Sequence, residues 1–566
     1  MSLFGILNIG SSALAVQQAA LQVTGNNLAN AADPNYAEET VEESPGIDAP
    51  SGPNGQLLGS GVSIDTIQRQ VDLALQERLN GATSDSSSAS TLQSWAGQIQ
   101  STFNALSGTA DIGTQINTFF QDWSTLAGTP GSAGQQAVVI QDGQSLADSL
   151  NDLSGNLGTI STNLQQAISQ DVQQVNQLTS QIATLNGQIT AAQGSSSSQA
   201  NSLLDQRDAD LNQLSTLANV QTSTQPNGSV DVFLGGQALI SGTSSQSLNA
   251  STYTNNGHID SQVTFASGAT ATITSGEIGG MLQSQQLVDS TTDSVNSLAS
   301  NLISAVNNIY SSGQGSEGYS TVTGSNAVLD PTQPLSSSAS GLSFPVNAGS
   351  FTLTQTNSAS GQPTQTTIYV NQNTTLTSLV NNLNGISGIQ ASVNNNGQLT
   401  IQSTDPDVTF SFSNDSSGVL SALGINTFFT GSNASNIGVN SQVASNPSLL
   451  ASSSVDSASG TVVAGGNANA IGNLVNTPLS SLNGASIGDS YDSLIETIGS
   501  AAASATNNAS TASTVQQSLQ AQEQTLSGVS TDQEALNMIV EQRSYESAAE
   551  FISTINTMMQ TLLTIT

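Results

Sequence analysis

Both ends of this chain carry apolar residues at helical spacing, and the long stretch between them is dominated by Ser, Thr, Asn, Gln and Gly. Near the N-terminus Leu7, Leu14, Leu21 and Leu28 recur every seven residues, and Ala13, Val16, Ala20 and Val23 widen the stripe into a broad helical face. No charged residue precedes Asp33. Near the C-terminus Met538, Tyr545, Ile552 and Met559 form a second seven-residue series, with Ala548, Ile555 and Leu562 three places after its last three members, as a and d positions are in a coiled coil. Such segments at opposite ends predict helices that pair with each other or with other chains, a pattern of polymer subunits more than of enzymes.

A chain of 566 residues exceeds one hydrophobic core, so several domains are expected. Asp and Glu number 39 against four basic residues, Arg69, Arg78, Arg207 and Arg543, and there is no lysine. Without a basic patch nothing neutralises phosphates, so nucleic acid and anionic membrane surfaces are excluded as partners. Absence of cysteine removes disulfides, thiolate chemistry and Cys-ligated metals. The first basic residue is Arg69, so the basic start of a cleavable secretory signal is missing, and no apolar run is expected to span a bilayer.

The first helix should end near Asn30, because Pro34 disfavours helix at Asp33 and Gly, Pro and Asn cluster from Pro45 to Gly61. A second helical pattern runs from Ile64 to Leu79, with Asp65 at ion-pair spacing from Arg69, and a Ser-rich linker follows at Ser84 to Ser90. Leu164, Ile168, Val175, Leu178, Ile182, Leu185, Ile189 and Ala192 make a seam broken only by Asp171. A turn from Gly194 to Ser198 and a returning helix with Leu203, Leu204, Leu211, Leu214 and Leu217 complete a helical hairpin. Past Ala218 the pattern becomes β, with Asn227-Gly228 read as a two-residue hairpin turn before Val230, Val232 and Leu234. Helix resumes from Met281 to Tyr310. Phe351, Leu353, Ile368, Val370, Leu399, Ile401, Phe410 and Phe412 mark a β-rich insertion, and Ala451 to Ser486 is small and flexible in composition. Helix returns near Tyr491, breaks at Gly528, and restarts at one of two capping boxes, Ser530 with Gln533 or Thr531 with Glu534.

The expected fold is therefore multidomain α+β and elongated: a terminal coiled-coil-like domain (1–60 and 526–566), a helical hairpin domain with β-hairpins (61–318 and 451–525) and an inserted β-rich domain (319–450). Catalysis finds no support. The one histidine, His258, lies in a polar Asn-Asn-Gly-His turn, and no HExxH, phosphate loop or nucleophile elbow is present. Asp205, Arg207, Asp208 and Asp210 read as a helical ion-pair set or solvated face rather than a cation or acid–base site. Arg543, with Glu546 three residues on and Glu541 on the stripe, reads as an exposed pair or a contact to a neighbouring subunit. No catalytic, cofactor or metal residues are assigned.

Specific motifs point further. Asn26-Asn27-Leu28-Ala29-Asn30 followed by Pro34 and Tyr36 resembles the asparagine-rich signature shared by axial proteins of the bacterial flagellum, although Asp33-Pro34-Asn35-Tyr36 stands where Thr-Pro-Gly-Tyr is usual and Ala37-Glu38-Glu39 where Ser-Arg-Gln is expected. Gly59-Ser60-Gly61-Val62 to Arg69, Leu203-Leu204-Asp205-Gln206-Arg207-Asp208, and Gly424-Ile425 through Phe428-Phe429-Thr430-Gly431 resemble the hook-associated protein 1 (FlgK) family more narrowly. So does the closing Ser527-Gly528-Val529-Ser530, Glu534, Gln542-Arg543 and Tyr545. The resemblance implies a structural, non-enzymatic subunit at the junction of hook and filament. Its partners would be further copies of itself, hook protein, a second hook-associated protein, and an export chaperone at the C-terminal region. It implies export through the flagellar secretion channel without a cleaved signal, and the terminal helices as assembly surface. Another axial or surface-fibre subunit, hook-like or adhesive, is the alternative. Rod and hook proteins should lack the Leu203 to Asp208 motif. The lysine-free acidity is not explained by the family; it suits acidic surroundings, which neutralise carboxylates, or high salt, which screens them.

Overall fold

The computed structural model describes residues 3–46, 49–50, 57–105, 111–192 and 197–565. Within them the helices are, in order, α1 (Leu3–Asn30), α2 (Leu73–Ala105), α3 (Ile112–Gly128), α4 (Ala133–Ala192), α5 (Ser197–Leu217), α6 (Gly276–Tyr310), α7 (Leu376–Asn384), α8 (Val419–Leu423), α9 (Ser441–Ser445), α10 (Gly466–Gly472), α11 (Ile487–Ser527) and α12 (Thr531–Ile565). The fold is mixed helix and sheet. The chain divides into two compact units, one of Met1–Trp95, Leu164–Gln285 and Ala503–Thr566, the other of Ala96–Asn163 and Gln286–Ala502.

In the first unit α1 packs on α12. The apolar pattern read as helix from Ile64 is instead a strand, Val62–Arg69, paired antiparallel with Glu39–Pro45, and helix begins only at Leu73. The β-branched residues Val62, Ile64, Thr66 and Ile67 favour the pleated chain, and Arg69 is drawn to Asp205 rather than to Asp65. Ser84 to Ser90 is not a linker: α2 runs through it, with Ser84, Ser86 and Ser88 buried, because small hydroxyls allow close approach of neighbours. Leu75, Leu79 and Ala82 of α2 form a core with Leu519 of α11. The α4 seam is buried at Leu164, Ile168, Val175, Leu178, Ile182 and Ile189, and α5 returns beside it. Of the turn expected from Gly194 to Ser198, Ser197 and Ser198 already belong to α5, and the preceding residues lie outside those described.

The hairpins of this unit use the Asn-Gly dipeptide in two ways. At Asn256-Gly257 both residues have positive φ and the strands Leu248–Asn255 and His258–Phe265 meet in a two-residue turn, so His258 opens a strand. At Asn227-Gly228 only Gly228 has positive φ, and its amide donates to the Gln225 carbonyl across Pro226-Asn227, giving a wider turn than the two-residue one expected. Pro226 fixes a negative φ ahead of Asn227, which selects a type I turn closed by a left-handed glycine.

The second unit holds three three-stranded sheets, of which the smallest joins Gly313–Gln314, Ser453–Val455 and Val462–Val463 and the other two carry the insertion. Of those two, one orders Pro363–Val370, Gly349–Asn357 and Val408–Ser413; the other orders Thr321–Thr323, Leu399–Ser403 and Ile389–Val393. All eight residues that mark the β insertion in the sequence are buried. A chain with 4% aromatics gathers six of them into one cluster: Phe119, Phe120, Trp123, Tyr310, Phe428 and Phe429, with ring centroids 4.8 to 6.3 Å apart. Ala451 to Ser486 is built rather than loose, with short strands, α10 and buried Ala451, Ala468, Ile471 and Leu474. Helix α11 ends at Ser527, and Ser530 caps α12 through its hydroxyl to the Gln533 amide.

Candidate functional site: the terminal helix pair and its joint

Gly10 lies against Ile552 and Phe551, while Asn27 meets Glu534, so α1 and α12 run antiparallel. A methyl group on Gly10 would stand 2.9 Å from Ile552 Cγ1, and the missing side chain is what lets the two helices approach. The face of α1 turned inward is Gly10, Val16, Ala20, Val23, Thr24 and Asn27. Leu7, Leu14 and Leu21 flank that face half-buried, and Leu28 is exposed. On α12 Glu534 and Ile555 are buried; Met538, Tyr545, Ile552 and Met559 are half-buried and Leu562 is exposed.

Asn27 is the centre of the joint. Its Nδ2 donates to the Glu39 carbonyl at 2.9 Å and to Glu534 Oε2 at 3.1 Å, and its Oδ1 accepts from the Glu39 amide at 3.0 Å and the Tyr36 hydroxyl at 2.8 Å. All the hydrogen-bonding capacity of one amide is used, binding α1, the following loop and α12. The loop reaches this position through Asp33, whose side chain accepts from the Asn35 amide, a turn that Pro34 supports from an exposed position. The Glu38 amide donates to the Ser527 carbonyl, tying the same loop to the end of α11. Asn26 and Asn30 are exposed, and Asn30 reaches the Tyr36 hydroxyl from that position, so of the asparagine-rich motif Asn27 is the buried member at the joint. Burial pushes the Tyr36 hydroxyl pKa up, aided by the charges of Glu39 and Asp205; burial also raises the Glu38 and Glu39 carboxyls.

The Leu203 to Asp208 motif forms a second knot, and it is not the solvated or intrahelical set expected. Arg69 comes from the strand and places Nε 2.8 Å from Asp205 Oδ1 and Nη2 2.7 Å from Asp208 Oδ2. Arg207 is buried, donates to the Gly228 carbonyl at 2.7 Å, and lies 3.6 Å from Asp208. Burial raises the Asp205 pKa to about 6, with Asp208 and Glu39 adding to the rise and Arg69 opposing it. Arg207 is shifted down by the same loss of water, against the pull of Asp208. A cleft of about 620 Å³ lies beside the knot, lined by Tyr36, Arg69, Asn80, Asp208, Gln520 and Glu523 among others. Among the described residues no group of His, Cys, Asp and Glu is arranged to hold a metal.

Away from its inward face α12 carries Leu536, Ile539 and Val540, each between 51% and 60% exposed, with Met558 48% exposed further along, whereas Phe551 lies against Gly10 of α1. Leu536, Ile539 and Val540 share the outward side of the helix with Arg543, which is exposed. The sequence series at Met538, Tyr545, Ile552 and Met559 marks the inward side alone; the outward cluster from Leu536 to Val540 is too short for a seven-residue count to register. Contrary to the expectation of no bilayer-length segment, α1 is long and apolar enough to cross a membrane by length and composition. It packs here along α12.

Three comparisons bear on this arrangement. Residues 96–326 match the family model of the flagellar hook-associated protein FlgK helical domain, and residues 513–565 match that of the flagellar basal body rod FlgEFG protein C-terminal segment. Flagellar hook-associated protein 1 of Bacillus subtilis is 27% identical over 165 residues, 28% of this chain and 32% of the relative, so the match spans about a third of that protein's length. The flagellar hook junction protein FlgK of Burkholderia pseudomallei shares the fold, with a TM-score of 0.51 over 79% of this chain and 99% of the other at 20% identity.

Proposed function

We propose, for a chain that belongs to the FlgK family of flagellar hook-associated proteins, that it is a structural subunit of the bacterial flagellum joining hook to filament. The observation that carries this reading is the α1–α12 pair: locked internally at Asn27, it still presents a row of large apolar side chains on α12 to solvent. Such a face is stable in water only as a minority feature, and burial of the exposed half of each side chain by a neighbour contributes about 1 kcal/mol. Copies of this chain cover it in a ring, with hook protein below and a second hook-associated protein above. Leu7, Leu14, Leu21, Leu28, Met538, Tyr545, Ile552, Ile555, Met559 and Leu562 then divide between the pair's own seam and contacts to neighbours. In the unassembled subunit the terminal helices loosen, since isolated amphipathic helices are marginal in water, and a chaperone at the C-terminal region shields them before export through the flagellar channel. The protein acts outside the cell, without catalysis.

The match of residues 513–565 to a rod-type segment favours a second reading, another axial subunit such as a hook-like protein. The helical-domain match and the Arg69–Asp205–Asp208 knot built from its motif favour the junction. Deleting the gene and imaging the cells tests this. Hooks without filaments and flagellin released into the medium are expected; normal filaments overturn the proposal.

A further inference from the structure

Four cations serve 39 carboxylates in this chain, so where each one goes is informative. Arg69 and Arg207 are used inside the first unit on Asp205 and Asp208. Among the described residues Arg78 and Arg543 make no ion pair. Arg543 alone of these stands on the outward side of α12, beside Leu536, Ile539 and Val540. Its own helix gives it no partner: the positions four residues away are Ile539 and Ser547, and Glu546, three residues on, receives Gln542 instead.

The complementary feature is close by but on the other side of the helix. Glu541, half-buried on the inward face, has its carboxyl pushed up by burial and by the charge of Glu43, which is exposed on the strand Glu39–Pro45. Glu42, beside it, is exposed too and takes only a neutral donor, Gln68. This patch holds like charges near one another with no cation. Glu541 and Arg543 are two residues apart, about 200° around the helix, so within one copy the guanidinium points away from the patch.

We infer that Arg543 of one copy docks on the Glu43–Glu541 patch of the next, making the outward face of α12 a heterologous contact between copies of this chain. The inference rests on the assembly role proposed above and names its pairing. A twofold contact would press the Arg543 stripes of both copies together and leave both acidic patches uncompensated. A head-to-tail contact instead uses donor and acceptor once per copy and closes into a ring or continues as a helix. The apolar side chains around Arg543 exclude water from the contact, which makes a charge pair there worth more than at a free surface, and the bidentate fork of the guanidinium fixes register.

The chain contains no cysteine, so engineered thiols report without background. In a deletion strain complemented with full-length chain, Arg543→Cys with Glu43→Cys in the same chain should give, with a short bismaleimide on isolated flagella, a ladder of multiples, and each single variant none. Arg543→Glu should cut the number of filaments about tenfold, and adding Glu43→Arg should restore it to within about twofold. Dimers from Arg543→Cys alone, or a double charge swap no better than Arg543→Glu, overturn the pairing. If the deletion strain itself keeps filaments, the junction role falls; if filaments are lost and the swap does not rescue, only the pairing falls.

Discussion

Replacing Asn27 by Ala should free α1 from the joint. The substitution removes four hydrogen bonds and strands their partners, of which Glu534 is 2% exposed and Glu39 7% exposed. At about 1 kcal/mol for each neutral bond and about 2 for the one to the carboxylate, the loss is about 4–5 kcal/mol, at the upper end for one side chain. A chain of several units does not unfold in one step, so hydrogen exchange is the local measurement. The Glu39 amide, whose only partner at the joint is Asn27 Oδ1, should exchange about a thousandfold faster in Asn27→Ala, while amides of α3 are unchanged.

Asn27→Asp sharpens this. The shape is kept, but a carboxylate now faces Glu534 where an N–H donated, so at neutral pH the joint should open at least as far as in the alanine variant. Acid should close it, because one proton shared between the two carboxyls recreates a donor. An exchange rate at Glu39 within tenfold of wild type in both variants at neutral pH would refute the reasoning that one amide holds the joint.

Other outcomes follow from the same geometry. Asp142 has its pKa raised to about 6 by burial and by Asp122, whose carboxyl it meets; a folded value above the unfolded one near 4 means stability present in acid and lost as pH rises through about 6. Because the pair is partly solvated, Asp142→Asn should raise the stability of the second unit at pH 7 by on the order of 1 kcal/mol and flatten its pH dependence, as read by thermal melts. Arg69→Met should leave Asp205 uncompensated and Asp208 with Arg207 alone, and cost about 3–5 kcal/mol in local unfolding of α5, with a smaller loss near pH 4. Gly143→Ala would put a methyl group 2.6 Å from the Phe428 ring and should destabilise, whereas Gly155→Ala meets nothing and should stabilise by about 0.5–1 kcal/mol, a contrast that melts of the two variants check.

What the sequence made readable was periodicity over long distances. The α4 seam and the alternating apolar residues from Phe351 to Phe412 follow from apolar positions recurring at a fixed period, and the breaks after Asn30 and at Gly528 from the proline and glycine that interrupt it. Short segments misled. Ile64 to Arg69 has too few residues to separate helix from strand by spacing, and what decides it is pairing with Glu39–Pro45, which sequence does not display. The Ser84 to Ser90 run has the composition of a linker, yet tertiary packing buries its hydroxyls in a helix. The knot at Arg69, Asp205 and Asp208 joins residues 136 and more positions apart, so its motif could be recognised while its geometry could not. Asn27 was visible as a motif residue, but nothing local distinguishes it from the exposed Asn26 and Asn30.

A chain almost without cations must fasten its helices to its strands by other means, and neutral asparagines do it repeatedly. Asn186 clamps both Val230 backbone groups and the Gly242 carbonyl, Asn176 both groups of Leu248, and Asn307 the amides of Phe428 and Phe429 with the Phe429 carbonyl. These clamps do not titrate. The groups that do, Asp142, Asp171 and Asp205, are each shifted to about 6, and for each the leading cause is burial rather than a neighbouring charge. The distinction separates the two settings that suit an acidic surface. Salt screens charge–charge repulsion but returns little of the hydration that a buried carboxylate has lost, whereas a proton removes the charge itself. Lowering pH from 7 to 5 at fixed ionic strength should therefore raise the melting temperature more than molar salt at pH 7 does; the reverse order would mean that surface repulsion, not burial, limits this fold.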